Sequence, residues 1–212
     1  MTARRRIRAA PECSKQTEQA DAQETRNQVT GMAQRVSGFD RIHDDIYETP
    51  RWVVRAIAPF LAKVSLHPWD PFNGPNSKLV RALKDERFKA IGTNSNFFAT
   101  QEVPDADAIC TNPAYGVQGR LARQFIEHAL TLPVDHVFAL LRNDFDSGIT
   151  RTHLFRDCRA FAGKIVLLGR AKWFEGPAEP SDNHAWFHWS QQHRGSPTIR
   201  YSATFAKSER ET

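Results

Sequence analysis

The sequence predicts a single α/β domain: a mostly parallel, twisted sheet with helices on both faces and an antiparallel hairpin at one edge. Three observations lead there. Short apolar runs suited to strands alternate with amphipathic stretches of helical period. The last two strand candidates follow one another with no helical pattern between them. The chain has 212 residues, 40% hydrophobic and 25% charged, enough to bury one core and little more.

The elements follow in order from Ile42. Tyr47-Glu48-Thr49-Pro50 leads into RWVVRAIAPFLAKV, where Trp52, Val53, Ala56, Ile57 and Phe60 recur on one helical face. Thr49 is placed to cap this helix and Pro50 suits its first turn. A strand around His67–Phe72 precedes the turn Asn73-Gly74-Pro75-Asn76-Ser77, and SKLVRALKDE supplies a helix through Leu79, Val80 and Leu83. FKAIGTNSNFF reads as a second strand and DADAICTNPAYG as a third, apolar at Ala108, Ile109 and Cys110. VQGRLARQFIEHAL is a third helix, burying Leu121, Phe125, Ile126 and Ala129. HVFALLRNDFD gives a fourth strand, THLFRDCRAF a short helix, GKIVLLGRAKWF a fifth strand and NHAWFHWS a sixth, the last two joined by EGPAEPSD. Trp173, Phe174, Trp186, Phe187 and Trp189 are expected to fill the core.

Composition excludes several classes. No apolar run approaches the roughly 18 residues of a membrane-spanning helix, and the basic N-terminus has no apolar stretch behind it to make a secretory signal. Cys13, Cys110 and Cys158 are too few and too far apart for a disulfide framework or a zinc quartet, which points to a reducing cytoplasm. Residues 1–40 are polar and Arg-rich, with too few apolar side chains to offset their ordering entropy. They read as a flexible tail, either simply solvated or an electrostatic arm for phosphates; a matching disordered end is expected over 206–212. The net charge of +5 allows a polyanionic partner without demanding one. His184 and His188 share a strand face about 13 Å apart by strand rise, too far to share an ion, so no metal site is expected.

Open sheets of this kind bind ligands beyond the carboxyl ends of their strands. Three strand-end loops carry chemistry there. Trp69-Asp70-Pro71-Phe72-Asn73-Gly74-Pro75-Asn76 places a carboxylate and a glycine between strand and helix, where bare backbone can approach a ligand. Thr111-Asn112-Pro113-Ala114-Tyr115-Gly116 combines an amide acceptor, a proline carbonyl and an aromatic face. An amino group bound there could donate two hydrogen bonds while its ring stacked on Tyr115. Arg142-Asn143-Asp144-Phe145-Asp146 points into the same crevice, with Arg142 and Asp144 as candidate contacts to a substrate.

These loops resemble those of the class I S-adenosylmethionine-dependent methyltransferases, in the branch that methylates exocyclic amino groups, chiefly adenine N6 in DNA. Asn112-Pro113-Ala114-Tyr115 resembles the Asp/Asn/Ser-Pro-Pro-Tyr/Phe motif of that branch. Asp70-Pro71-Phe72-Asn73-Gly74-Pro75-Asn76 resembles its Asp-Pro-x-x-Gly-x-Gly, and Tyr47-Glu48-Thr49-Pro50 its Tyr-x-Thr-Pro element. The likeness spans residues 42–202 and implies a Rossmann-like methyltransferase domain over 41–205. It implies S-adenosylmethionine as cofactor, held by Thr49, Pro50, Asp70, Phe72, Gly74, Asn94 and Asn112. Asn112, Pro113 and Tyr115 would then be catalytic, with Tyr115, Arg142 and Asp144 contacting the substrate. Nucleic acid, chiefly DNA, is the implied partner; RNA and a protein glutamine amide serve as substrates of related motifs. The chain departs from the pattern at Asn76, in place of the second glycine, at Ala114, in place of the second proline, and at Asn94, where an acid usually reads the ribose. Those departures admit a further reading, a catalytically degenerate domain that binds nucleic acid or a partner.

Overall fold

The computed structural model describes residues 47–94, 96–173, 180 and 182–210, all within the compact unit Arg41–Thr212. The expected tail at 1–40, and Phe174 with residues 175–179, lie outside the described residues. Helix α1 spans Arg51–Leu61, β1 Pro68–Asp70, α2 Lys78–Asp85, β2 Ile91–Gly92, β3 Ala108–Thr111, α3 Arg120–Ala129, β4 His136–Arg142, β5 Phe161–Val166, β6 His184–Ser190, β7 Thr198–Tyr201 and α4 Lys207–Arg210. Short 3-10 turns occupy Phe97–Ala99, Val117–Gly119, Phe145–Ser147 and Ile149–Leu154.

One seven-stranded sheet runs β2-β1-β3-β4-β6-β5-β7. β2, β1, β3 and β4 are parallel, β6 is antiparallel to both β4 and β5, and β7 is parallel to β5. The expected antiparallel pair is therefore present, but β6 is inserted between β4 and β5, and β7 forms the edge beyond them. β7 escaped the sequence reading because all four of its residues are exposed, which leaves no alternation to recognise.

Period-two alternation assigns each strand residue to one of two cores. Cys110, Phe138, Leu140, Ile165 and Trp186 face α1 and α2. Ile109, Val137, Ala139, Leu141, Phe187 and Trp189 face α3 and the 3-10 turns that follow β4. Two of the buried sheet indoles find carbonyl acceptors: Trp186 donates to the Val53 carbonyl at 3.0 Å and Trp189 to the Leu154 carbonyl at 2.8 Å.

Three local expectations are corrected. Pro50, not Thr49, holds the N-cap position of α1; its carbonyl accepts from the Val53 N–H at 3.0 Å, with no side-chain cap. The segment THLFRDCRAF is not an α-helix; the chain instead makes 3-10 turns through Leu154 and enters β5 at Phe161. Residues 207–210, expected in a disordered end, form α4, which Arg55 on α1 engages through Glu209 at 3.1 Å while Phe205 packs on Trp52. By contrast Ser77 caps α2 as Ser does by preference, accepting from the Val80 N–H at 3.1 Å.

Candidate functional site

β1 and β3 are neighbours in the sheet, so their carboxyl-end loops stand side by side. Asp70 closes β1 and is fully buried. Its Oδ1 accepts from Thr111 Oγ1 at 2.7 Å and from the Phe72 N–H at 3.3 Å, and Asn73 Nδ2 donates to its Oδ2 at 3.0 Å. Burial raises the Asp70 pKa, and the Thr111, Asn73 and Phe72 hydrogen bonds oppose that rise. The carboxylate thus works as an internal latch between the two loops.

The Gly74 turn lies over the end of β2. Gly74 has φ +72°, a left-handed conformation that suits glycine, and its N–H donates to the Thr93 carbonyl at 3.0 Å. Thr93 in turn donates its N–H to the Asp70 carbonyl and accepts from Trp69 Nε1 at 2.9 Å. Gly92 permits this approach: a Cβ there would sit 2.2 Å from the Gly74 carbonyl oxygen. Gly92 was missed in the sequence, where one glycine after an apolar pair gives no signal of a tertiary contact. Asn94 is exposed beside Gly74, its Cβ 3.8 Å from where a Gly74 Cβ would stand. Asn76 and Pro75 are exposed. Phe72 directs its ring into an aromatic cluster with Phe97 and Phe125, at 5.2 and 5.5 Å between centroids.

The Tyr47–Pro50 segment joins the two loops. The Tyr47 carbonyl accepts from Asn112 Nδ2 at 3.1 Å. Glu48 Oε2 accepts from the Lys78 N–H at 2.8 Å, at the start of α2, where a carboxylate also complements the helix dipole. Thr49 is buried between them in sequence. Glu48 is the second residue that sequence reasoning missed; an acid ahead of a Thr-Pro gives no hint that it reaches a helix thirty residues on.

After β3, Asn112 is half-buried and Pro113 buried. Because the Asn112 amide nitrogen donates to Tyr47, its Oδ1 is the end presented as acceptor. Among the described residues no donor reaches Asn112 Oδ1 or the Pro113 carbonyl. The Tyr115 carbonyl caps α3, accepting from the Leu121 N–H at 3.0 Å. Its hydroxyl accepts from the Arg142 backbone N–H, and its ring meets Phe145 edge-on at 6.3 Å. Burial raises the Tyr115 pKa above the usual phenol value, so the hydroxyl stays protonated. This bond ties the loop after β3 to the end of β4. There Arg142 grips Asp144 with two hydrogen bonds, Nε at 3.2 Å and the other arm at 3.0 Å. Burial acts to raise the Asp144 pKa, but the Arg142 hydrogen bond and charge outweigh it and hold the carboxylate low. Both side chains of that pair are largely exposed.

The structure therefore brings the Tyr47–Pro50 segment, Asp70, Gly74, Asn94, Asn112, Pro113 and Tyr115 to one end of neighbouring strands. Arg142 and Asp144 join them from β4. Phe72 turns its ring into the core under α3.

This arrangement of sheet and helices is shared with a solved structure. A protein of Listeria monocytogenes assigned to the class I S-adenosylmethionine-dependent methyltransferases aligns with 87% of this chain and 72% of its own, at 12% identity and a TM-score of 0.51. The fold is a class I methyltransferase fold. A protein of Pyrococcus horikoshii assigned as an RNA methyltransferase aligns with 79% of this chain and 96% of its own, at 12% identity and a TM-score of 0.44. A protein of Vibrio vulnificus assigned as the modification subunit of a type I restriction enzyme aligns with 95% of this chain and 55% of its own, at 11% identity and a TM-score of 0.47. No family model matches the chain, and no curated protein does.

Proposed function

We propose that this methyltransferase-fold domain transfers a methyl group from S-adenosylmethionine to an exocyclic amino group, with adenine N6 in DNA as the target. The observation that carries the reading is the pair of unclaimed acceptors, Asn112 Oδ1 and the Pro113 carbonyl, beside a glycine turn one strand away. An amino group needs two such acceptors to be held by both hydrogens.

The residues present suit the cofactor. Gly74 offers backbone without a side chain, and among the described residues Asn94 Cβ is the one atom within 4 Å of where its Cβ would stand; Thr49, Pro50, Asn94 and Asn112 complete the cofactor site in the proposed assignment, with Asp70 bracing the turn from within. The bound cofactor supplies an electrophilic methyl group on a sulfonium. The chain's own part is positioning. Asn112, held by Tyr47, and Pro113 accept the two amino hydrogens, which draws the nitrogen lone pair out of conjugation with the ring and aims it. Tyr115, anchored by its hydroxyl, offers an aromatic surface to a base turned out of its stack. Orientation of this sort accounts for most of the rate gain when no covalent intermediate is needed.

Calorimetry with S-adenosylmethionine and transfer of tritiated methyl to DNA, RNA and protein pools test the reading. Asn112→Ala is expected to lose transfer by roughly 100-fold or more at saturating cofactor, the scale of removing one aligned polar group from an active site. A wild-type chain that binds no cofactor would sink the enzyme reading. A second reading, a degenerate domain that binds without turnover, draws support from Asn94, whose exposed amide lacks the charge a carboxylate would bring to a ribose hydroxyl. Cofactor binding without transfer to any pool would select it.

A further inference from the structure

Arg151 lies on the 3-10 turn Ile149–Leu154, beside the candidate site. Its guanidinium carbon lies over the Phe145 ring, 4.1 Å from the ring centre, and that ring also meets Tyr115. Two glycines make room for it. A Cβ on Gly148 would stand 2.3 Å from its terminal nitrogen and 2.6 Å from Nε, and one on Gly119 would stand 3.0 Å from the other terminal nitrogen. That nitrogen reaches the Gln118 carbonyl only at 3.5 Å, and Nε is shielded from water with no acceptor. The side chain is therefore immobilised across both loops that flank Asn112 and Tyr115, with its hydrogen-bonding capacity mostly unused.

The charge is unanswered as well. Among the described residues no carboxylate forms an ion pair with Arg151. Its acidic neighbours are committed elsewhere, Asp144 to Arg142 at 3.0 Å and Asp146 to Lys164 at 2.7 Å. Burial lowers the Arg151 pKa first of all; Asp144 opposes that, and Arg142 and Arg123 add to it. A guanidinium remains charged regardless; its cationic neighbours Arg142 and Lys164 are each paired with a carboxylate, so Arg151 is the cation of these turns with no ion-pair partner among the described residues. The terminal nitrogen beside Gly148 has no hydrogen-bond partner among the described residues, and a planar guanidinium held in place suits a phosphate oxygen.

We infer that Arg151 anchors a backbone phosphodiester of a nucleic-acid substrate, next to the base held at Asn112 and Tyr115. This rests on the amino-methyl transfer reading above and deepens it, because a protein glutamine amide brings no phosphate for Arg151 to hold.

Binding of fluorescein-labelled DNA and RNA oligonucleotides, single-stranded and duplex, followed by anisotropy over a range of salt concentrations, tests the inference. Arg151→Ala is expected to weaken binding about tenfold and to reduce the slope of log K against log salt by about 0.7–0.9, one phosphate contact. Gly148→Ala keeps the charge but drives the guanidinium from its seat, and is expected to weaken binding in the same direction. Arg81→Ala, on α2, removes an equal charge and is expected to bind as wild type; thermal melting confirms that each variant is folded. Loss with either polymer supports the anchor, and the polymer bound more tightly identifies its source. Unchanged binding by Arg151→Ala, an equal loss in Arg81→Ala, or no binding by wild type overturns it. Cofactor calorimetry separates the two readings: cofactor bound but no oligonucleotide defeats the phosphate anchor alone, and oligonucleotide bound through Arg151 without cofactor defeats methyl transfer alone.

Discussion

From β2 through β3 the sheet is carried by strands of two, three and four residues, whereas β4, β6 and β5 run to seven, seven and six. The short-stranded half compensates with polar latches between loops: Thr111 to Asp70, Trp69 to Thr93, Asn112 to Tyr47 and Lys78 to Glu48. The long-stranded half has fewer such ties, chiefly Lys164 to Asp146 and to the Asn143 carbonyl. It is a ladder packed with rings, where Phe155, Phe161, Phe187 and Trp189 lie within 5.0–6.4 Å of one another. Ladders and rings make a stable slab, and the charged groups at the end of β4 are largely committed to one another, Arg142 to Asp144 and Lys164 to Asp146. Short strands end early, and the loops that follow them can turn their polar atoms toward a ligand. Stability is thus concentrated in one half, while the other carries the proposed cofactor turn and amino-group acceptors.

The sharpest way to break that contrast is Trp189→Ala. The side chain is completely buried, packs on Phe155 and Phe161, and donates to the Leu154 carbonyl. Its removal leaves a large cavity and an orphaned acceptor, and is expected to cost about 3–5 kcal/mol. Urea unfolding measures this. A loss under about 1 kcal/mol would mean that the long-stranded half is not the source of stability.

Thr111→Val probes the other half at nearly constant volume. It deletes the 2.7 Å bond to a buried carboxylate that keeps its Phe72 and Asn73 donors. The expected cost is about 1–3 kcal/mol, the range for an under-satisfied buried polar group. Because Asp70 braces the Gly74 turn through Thr93, cofactor affinity should fall along with stability. A stability loss with affinity untouched would show that the latch serves the fold alone.

The same division governs how much the sequence revealed. α1, α2 and α3 were legible because each buries an unbroken helical stripe, and β4 and β6 because their apolar runs are long. The loop at Asn112 was legible because its parts are contiguous in the chain. β2 shrank from an eleven-residue reading to Ile91–Gly92, since the Gly74 turn crosses its end and no pattern announces that crossing. β7 was invisible because an exposed edge strand carries no periodicity. Gly92, Glu48 and Arg151 act through partners far off in sequence, so their roles are properties of the packing. Arg151 is the extreme case, needing Gly119, Phe145 and Gly148 from separate turns.

Acid should distinguish the two halves by a smaller margin. Burial lowers the pKa of His188 to about 3, with His136, Arg200 and His193 adding to the effect. Burial also lowers His184 to about 4, against the pull of Asp182. His188 stacks on Phe138 at 4.1 Å and approaches His136 Nδ1 at 3.1 Å, all within the β4–β6 ladder. The unfolded chain takes up these protons near pH 6.5 while the folded chain resists them until about 3–4. Between those limits the unfolded state binds more protons, so stability falls as pH falls, by up to about 1.4 kcal/mol per unit for each group. Asp70 acts in the opposite sense: its raised pKa disfavours the folded state when it is ionised, so acid relieves that cost. Between pH 7 and 5 the wild type is therefore expected to lose roughly 2 kcal/mol through His188, and His188→Gln to show a visibly flatter profile in urea unfolding across that range. Hydrogen exchange should locate the loss in β4, β5 and β6, while the loops around Asp70 hold. An equal slope in His188→Gln, or exchange that rises first around Asp70, would place the acid-sensitive half on the wrong side of the sheet.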